Sequence, residues 1–255
     1  MPELVGTLTR LNRYPIKSVG GEDCTSLHIG YPGVVGDRRI VVYDELSEHV
    51  LTAKAAHGRD LLLANAWIDG STLVTLPGLD SPLDCDNLPL LGYTLSGLLD
   101  RRVRPVRVAD CSGPLPTNFG FSLMAAVGYD QRPVHILTSA SLSAFAMMHS
   151  VPGQVAAMRY RPNLLIQTPP HFSGFVEDSW VGRVLVFPSG LRLRITALTG
   201  RCSLPTQAQP RFGLTKQHSL GTTLKTQHDG KLGVYAIIED PGAEVVELED
   251  AVYLD

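Results

Sequence analysis

This sequence predicts a mainly β fold with short helices, of the α+β class, and three observations carry the prediction. Its 24 glycines and 18 prolines cut the chain into short runs separated by turns. Many of those runs are rich in β-branched residues and alternate loosely between apolar and polar positions. With 255 residues and 44% hydrophobic content, the chain can bury one large core or two smaller ones.

Taken in order, residues 4–13 read as a first strand that stops at Tyr14-Pro15. Residues 26–29 and 39–43 follow as strands, parted by the turn signal Tyr31-Pro32-Gly33. Residues 61–68 and 72–76 form a hairpin closed by Asp69-Gly70, a dipeptide that tolerates positive φ. A short helix over 93–101 takes Thr94 as its N-cap. Residues 103–108 return to strand alternation, valines on one side and arginines on the other. The stretch 109–132 has several Gly and Pro and no sustained period, which marks a boundary. A buried strand over 133–137 leads into a helix over 139–149, with Ala140, Phe145, Ala146 and Met148 toward the core. Three strands follow at 164–167, 184–187 and 191–198, the last two turned by Ser189-Gly190. Residues 207–231 read as a long polar loop, and 234–238 as the last core strand. No fixed-period repeat is present, so a solenoid or propeller is excluded.

A net charge of −3 and the lack of any charged block exclude a nucleic-acid protein at the whole-chain level. No run approaches the roughly 20 apolar residues of a membrane span. No signal peptide is visible either, so the expectation is a cytoplasmic protein with reduced thiols. The four cysteines stand far apart without a Cys-x-x-Cys pair, which excludes zinc ribbons and iron–sulfur sites. The histidines are scattered without metal spacing and read as surface or packed residues. Nucleotide loops and serine-hydrolase elbows are absent from the sequence.

The chemistry concentrates in a few motifs. Arg159-Tyr160-Arg161-Pro162-Asn163 offers guanidinium forks that match phosphate oxygens. Gly200-Arg201-Cys202 sets a thiol beside a cation, which favours the thiolate that binds a soft metal or carries sulfur. Taken alone, the first motif reads equally as a loop-to-strand turn and the second as a small buried hydrophobe. Thr138-Ser139-Ala140-Ser141 lies at a strand-to-helix junction, where N-capping and anion binding are compatible roles.

Tyr14-Pro15-Ile16-Lys17-Ser18, Gly36-Asp37-Arg38-Arg39 and Leu51-Thr52-Ala53-Lys54 precede these motifs. Glu177-Asp178-Ser179-Trp180 and Gly233-Val234-Tyr235 complete the order. With this series the chain resembles a MOSC-domain protein related to the mitochondrial amidoxime-reducing components and their bacterial counterparts, over almost its whole length. The resemblance implies two β-barrel-like domains, a MOSC N-terminal domain over 1–110 and a MOSC domain over 111–255. It implies a molybdenum cofactor (molybdopterin carrying Mo), with Cys202 as metal ligand and catalytic residue beside Arg201. Cofactor binding would fall to Lys17, Ser18, Arg38, Thr52, Lys54, Ser139, Ser141, Arg161 and Asn163.

The implied activity is an oxidoreductase that reduces N-oxygenated small molecules, drawing electrons from a separate donor protein. Alternatives are a persulfide-carrying sulfurtransferase using Cys202, or a cofactor-binding relative repurposed for a specialised pathway. The chain departs from the family pattern at Lys54-Ala55 (Arg-Gln in the family), at Thr199 (Cys) and at Gln207-Ala208 (Val-Asp).

Overall fold

The computed structural model describes residues 2–111, 133–240, 242 and 244–255. The boundary predicted at 109–132 therefore lies largely outside the described residues. The chain divides into two compact units, each discontinuous in sequence. The first comprises Met1–Asn12, Asp23–Val35 and Arg132–Asp255, the second Arg13–Glu22 and Gly36–Gln131. A single cut at 110/111 leaves residues 2–12 and 23–35 with the N-terminal part, whereas they pack with the C-terminal half.

The first unit is a closed seven-stranded β-barrel. Its strands are β1 (Glu3–Arg13), β2 (Val134–Thr138), β3 (Leu164–Gln167), β4 (Val184–Val186), β5 (Arg192–Gly200), β6 (Lys231–Ile238) and β7 (Ala251–Leu254). They run around the ring as β3-β2-β6-β5-β4-β7-β1, and β1 closes it by pairing with β3. Only β2 and β3 are parallel among these pairs; a helical crossover over residues 139–163 joins them, as parallel neighbours require. Closure removes the open edge that a sheet would otherwise expose. Inward side chains such as Leu8, Leu11, Ile136, Ile166, Leu193, Ile195 and Val234 fill the barrel, and Trp180 packs with them.

Four α-helices are described: α1 (Leu88–Leu99) in the second unit, and α2 (Ser139–Met148), α3 (Ala157–Tyr160) and α4 (His218–His228) in the first. Phe145, Tyr160, Leu220, Leu224 and Leu232 form a further apolar cluster on these elements. No described helix is long and apolar enough to cross a membrane.

The second unit holds two three-stranded sheets. Ile40–Asp44 lies between Val103–Arg107 and His49–Val50, and Ser71–Thr75 lies between Asn65–Asp69 and Leu83–Asp84. Ile16, Val19, Leu61, Val74, Leu91 and Leu95 belong to its core. The Asp69-Gly70 hairpin is present, with Gly70 at φ +67°.

Four expectations are corrected. Helix α1 begins at Leu88, because the Asn87 side chain caps it by accepting from the Leu90 N–H at 3.2 Å, and Pro89 suits the first turn. Thr94 lies inside that helix and donates its hydroxyl to the Leu90 carbonyl at 2.9 Å. The loop expected over 207–231 contains α4, which buries Leu220 and Leu224 one turn apart. Met148 is 44% exposed, since α2 turns Ala140, Ala144 and Phe145 inward instead. Residues 61–63 fall in a 3-10 turn before the hairpin rather than in its first strand.

Candidate active site

The site residues of the first unit grow from the ends of β2, β3 and β5. Thr138 is the last residue of β2 and the N-cap of α2, its hydroxyl accepting from the Ser141 N–H at 3.1 Å. That same hydroxyl donates to the Glu177 carboxylate at 2.7 Å, and the Ser141 hydroxyl donates to the same oxygen. Glu177 is fully buried, and its second oxygen has no hydrogen-bond partner among the described residues. Burial pushes its carboxyl above the ordinary range, against the lowering effect of the two hydroxyls. Ser139 accepts from the Thr168 N–H at 3.0 Å, and its hydroxyl lies 3.0 Å from that of Thr168.

His135 is the residue that sequence reasoning missed. It is buried on β2, and its Nδ1 lies 3.1 Å from the Arg161 carbonyl. Its Nε2 meets the Arg201 guanidinium, which can only donate. These partners assign a neutral imidazole with the proton on Nδ1. His135 therefore ties together the two arginines singled out in the sequence. Gly233 makes room for the contact: a Cβ there would stand 2.6 Å from the Ile136 carbonyl, 3.0 Å from His135 Nε2 and 3.3 Å from Arg201 Nη2.

Arg201 turns its guanidinium inward. Nε donates to the Leu232 carbonyl at 2.8 Å and Nη1 to the Tyr160 carbonyl at 3.2 Å. The group lies 5.4 Å from the centroid of the Tyr160 ring. Burial lowers its pKa to about 10, which still leaves a cation at neutral pH. Cys202, the next residue, is exposed.

Arg161 follows α3 in the left-handed region (φ 55°) and is 9% exposed. Asn163 stitches strands together: Oδ1 accepts from the His135 N–H at 3.1 Å, and Nδ2 donates to the Asn12 carbonyl at 3.1 Å. Tyr160 Oη and Thr199 Oγ1 are buried without a hydrogen-bond partner among the described residues.

In the second unit, Ser18 (φ 66°) and Arg38 (φ 46°) both adopt left-handed backbone. The Ser18 hydroxyl accepts from the Ala53 N–H at 3.2 Å, which sets Lys17-Ser18 beside Thr52 and Lys54. Lys17 donates its N–H to the Ile40 carbonyl at 2.9 Å. Arg38 pairs with Asp37 and lies 5.2 Å from the centroid of the Tyr14 ring. Thr52 is buried, and its hydroxyl has no hydrogen-bond partner among the described residues. Its carbonyl would stand only 2.3 Å from a Cβ at position 58, so Gly58 is required there.

The predicted residues thus gather in three places. Arg161, Asn163 and Arg201 surround His135, Ser141 joins Thr138 on Glu177, and Lys17, Ser18, Thr52 and Lys54 share a corner of the second unit. Nothing in local sequence marks His135, which sits in an apolar strand. Glu177 was visible only as part of a motif whose partner lies 36 residues away.

Over its whole length the chain is similar to a solved structure, the YUAD protein from Bacillus subtilis. Identity is 14%, coverage is 100% of this chain and 98% of that one, and the TM-score is 0.53, a likeness of fold. No curated protein matches. The MOSC domain profile matches residues 124–253, just over half of the chain. That stretch carries His135, Arg161, Glu177, Arg201, Cys202 and Gly233, and the chain belongs to the MOSC-domain family.

Proposed function

We propose that the protein is a molybdenum-cofactor oxidoreductase that reduces N-oxygenated small molecules, with electrons from a separate donor protein. MOSC domains are linked in general to binding of this cofactor. The carrying observation is the presentation of Cys202: an exposed thiol follows an arginine whose guanidinium is held by the carbonyls of Leu232 and Tyr160. A single soft ligand suits a metal that arrives with its own dithiolene sulfurs. Among the described residues, no group of three His, Cys, Asp or Glu is placed to hold a bare metal ion. The buried hydroxyls of Tyr160 and Thr199, without hydrogen-bond partners among the described residues, fit a ligand that brings polar edges.

In this reading Cys202 holds the metal, and Arg161 with the α2 N-terminus at Ser139 holds polar or anionic groups of the cofactor. Within the second unit, Lys17, Ser18, Thr52 and Lys54 offer cations and hydroxyls of the kind that bind phosphate. When bound, the cofactor supplies two-electron redox chemistry. In the net reaction the N–O bond breaks, oxygen leaves as water, and two protons and two electrons are consumed. Arg201 fixes the backbone before the thiol, and His135 fixes Arg201 through its neutral tautomer. Glu177, held up by burial, is an acid that keeps its proton to higher pH than an exposed carboxyl. The test is turnover of an N-hydroxylated amidine with an artificial reductant; cofactor-loaded protein that turns over none of a panel contradicts the activity.

A second reading, sulfur transfer through a Cys202 persulfide, is favoured by the same exposure of the thiol. It predicts a sulfane-sulfur label on Cys202 without any metal requirement.

A further inference from the structure

We infer that Arg159 is a positioning residue for Cys202, an inference that rests on the reading of this thiol as the functional group. Arg159 is fully buried on α3, and every N–H of its guanidinium is engaged. Nε donates to the Gln154 carbonyl at 2.8 Å. Nη1 donates to the carbonyls of Pro205 at 3.1 Å and Gln207 at 3.0 Å. Nη2 donates to the Gln154 side chain at 2.6 Å and to the Thr215 carbonyl at 2.7 Å. The cation thus faces carbonyl dipoles, and three of its five acceptors belong to the segment that follows Cys202.

The neighbours of Arg159 hold the other side. The Tyr160 carbonyl accepts from Arg201, and the Arg161 carbonyl faces His135, which accepts from Arg201 in turn. Three consecutive residues therefore pin the chain immediately before and shortly after the thiol. Within the downstream segment, Gln207 N–H donates to Leu204, Gln209 N–H to Leu214 and Gln217 N–H to Thr206. A folded segment wrapped on one guanidinium keeps a fixed geometry that five separate weak contacts would not. Lysine cannot replace it, since its three donors radiate from one point and lack the planar fork.

The experiment uses the full chain as wild type, Arg159→Lys, the milder Gln154→Ala, and a control, Leu95→Ala, in the second-unit core. Amide hydrogen exchange over 204–217 and iodoacetamide labelling of Cys202 are followed by peptide mass spectrometry. Losing charge-assisted hydrogen bonds is expected to speed exchange in that segment about tenfold or more in Arg159→Lys, and about threefold in Gln154→Ala. Cys202 labelling should depart from wild type by about threefold or more in the lysine variant, and by less in Gln154→Ala. The control should change neither. Unchanged exchange, unchanged labelling, or the same response in Leu95→Ala would overturn the inference. If Arg159→Lys does not fold, Gln154→Ala decides by the same two readouts. Molybdenum content of the wild type is measured alongside. Its absence with these changes present removes the cofactor reading and leaves the positioning role standing.

Discussion

The two polar regions of the molecule are built in opposite ways. Around His135 in the barrel unit, side chains build the frame: Asn163 bonds two strands, Arg201 bonds Leu232 and Tyr160, and Thr138 and Ser141 bond Glu177. In the corner near Ser18 the backbone contributes more, with Ser18 and Arg38 both left-handed, as Arg161 is in the first region. Such conformations cost of order 1–3 kcal/mol and persist where the surroundings over-determine them. The first bonds many of its polar groups to one another and exposes one thiol, while Tyr160 Oη, Thr199 Oγ1 and one Glu177 oxygen stay without a hydrogen-bond partner among the described residues. The second likewise keeps a buried Thr52 hydroxyl without a hydrogen-bond partner among the described residues, a feature a ligand would satisfy.

The strongest way to break the first region is Gly233→Ala. The added methyl meets the Ile136 carbonyl and the His135–Arg201 contact from a backbone at φ +79°. A loss of about 2–4 kcal/mol is expected in urea unfolding; a loss below about 1 kcal/mol would mean that the frame is not close-packed there.

Glu177→Gln probes the same frame through pH. The folded carboxyl has its pKa raised above the ordinary 4.5, so the native state holds the proton more tightly than the unfolded chain. Stability from this group is therefore present at low pH and declines as pH rises from near 4.5 toward the folded value. Glutamine should remove that decline. Parallel stability–pH curves for the two proteins would contradict the burial argument.

The smallest effect is expected in the second region. Thr52→Val removes a buried hydroxyl that lacks a hydrogen-bond partner among the described residues, so stability should hold or rise by up to about 1 kcal/mol. Phosphate affinity, read by calorimetry, should fall in the same variant. A loss of stability with no change in binding would show the hydroxyl to be structural.

The contrast also explains what could be read from sequence. Strands with apolar alternation and clear turn residues, such as residues 164–167 and the Ser189-Gly190 hairpin, coincide with β3 and with the β4–β5 turn. Barrel closure was not locally visible, because β1 pairs with β3 and β7 across more than 150 residues. Helix α4 was obscured by its polar sequence, with two buried leucines as its core contact. The candidate site was legible where a motif itself carries the guanidinium or the thiol, at Arg161, Arg201 and Cys202. It was illegible where a residue acts through a partner brought in by folding, as His135 does through Arg201 and Glu177 through Ser141.

The most direct test is molybdenum and pterin content of the protein produced in a cofactor-competent host, for wild type and Cys202→Ser. The account predicts near-stoichiometric molybdenum in the wild type and its loss in the folded serine variant. Full molybdenum in Cys202→Ser, or none in folded wild type, would contradict it.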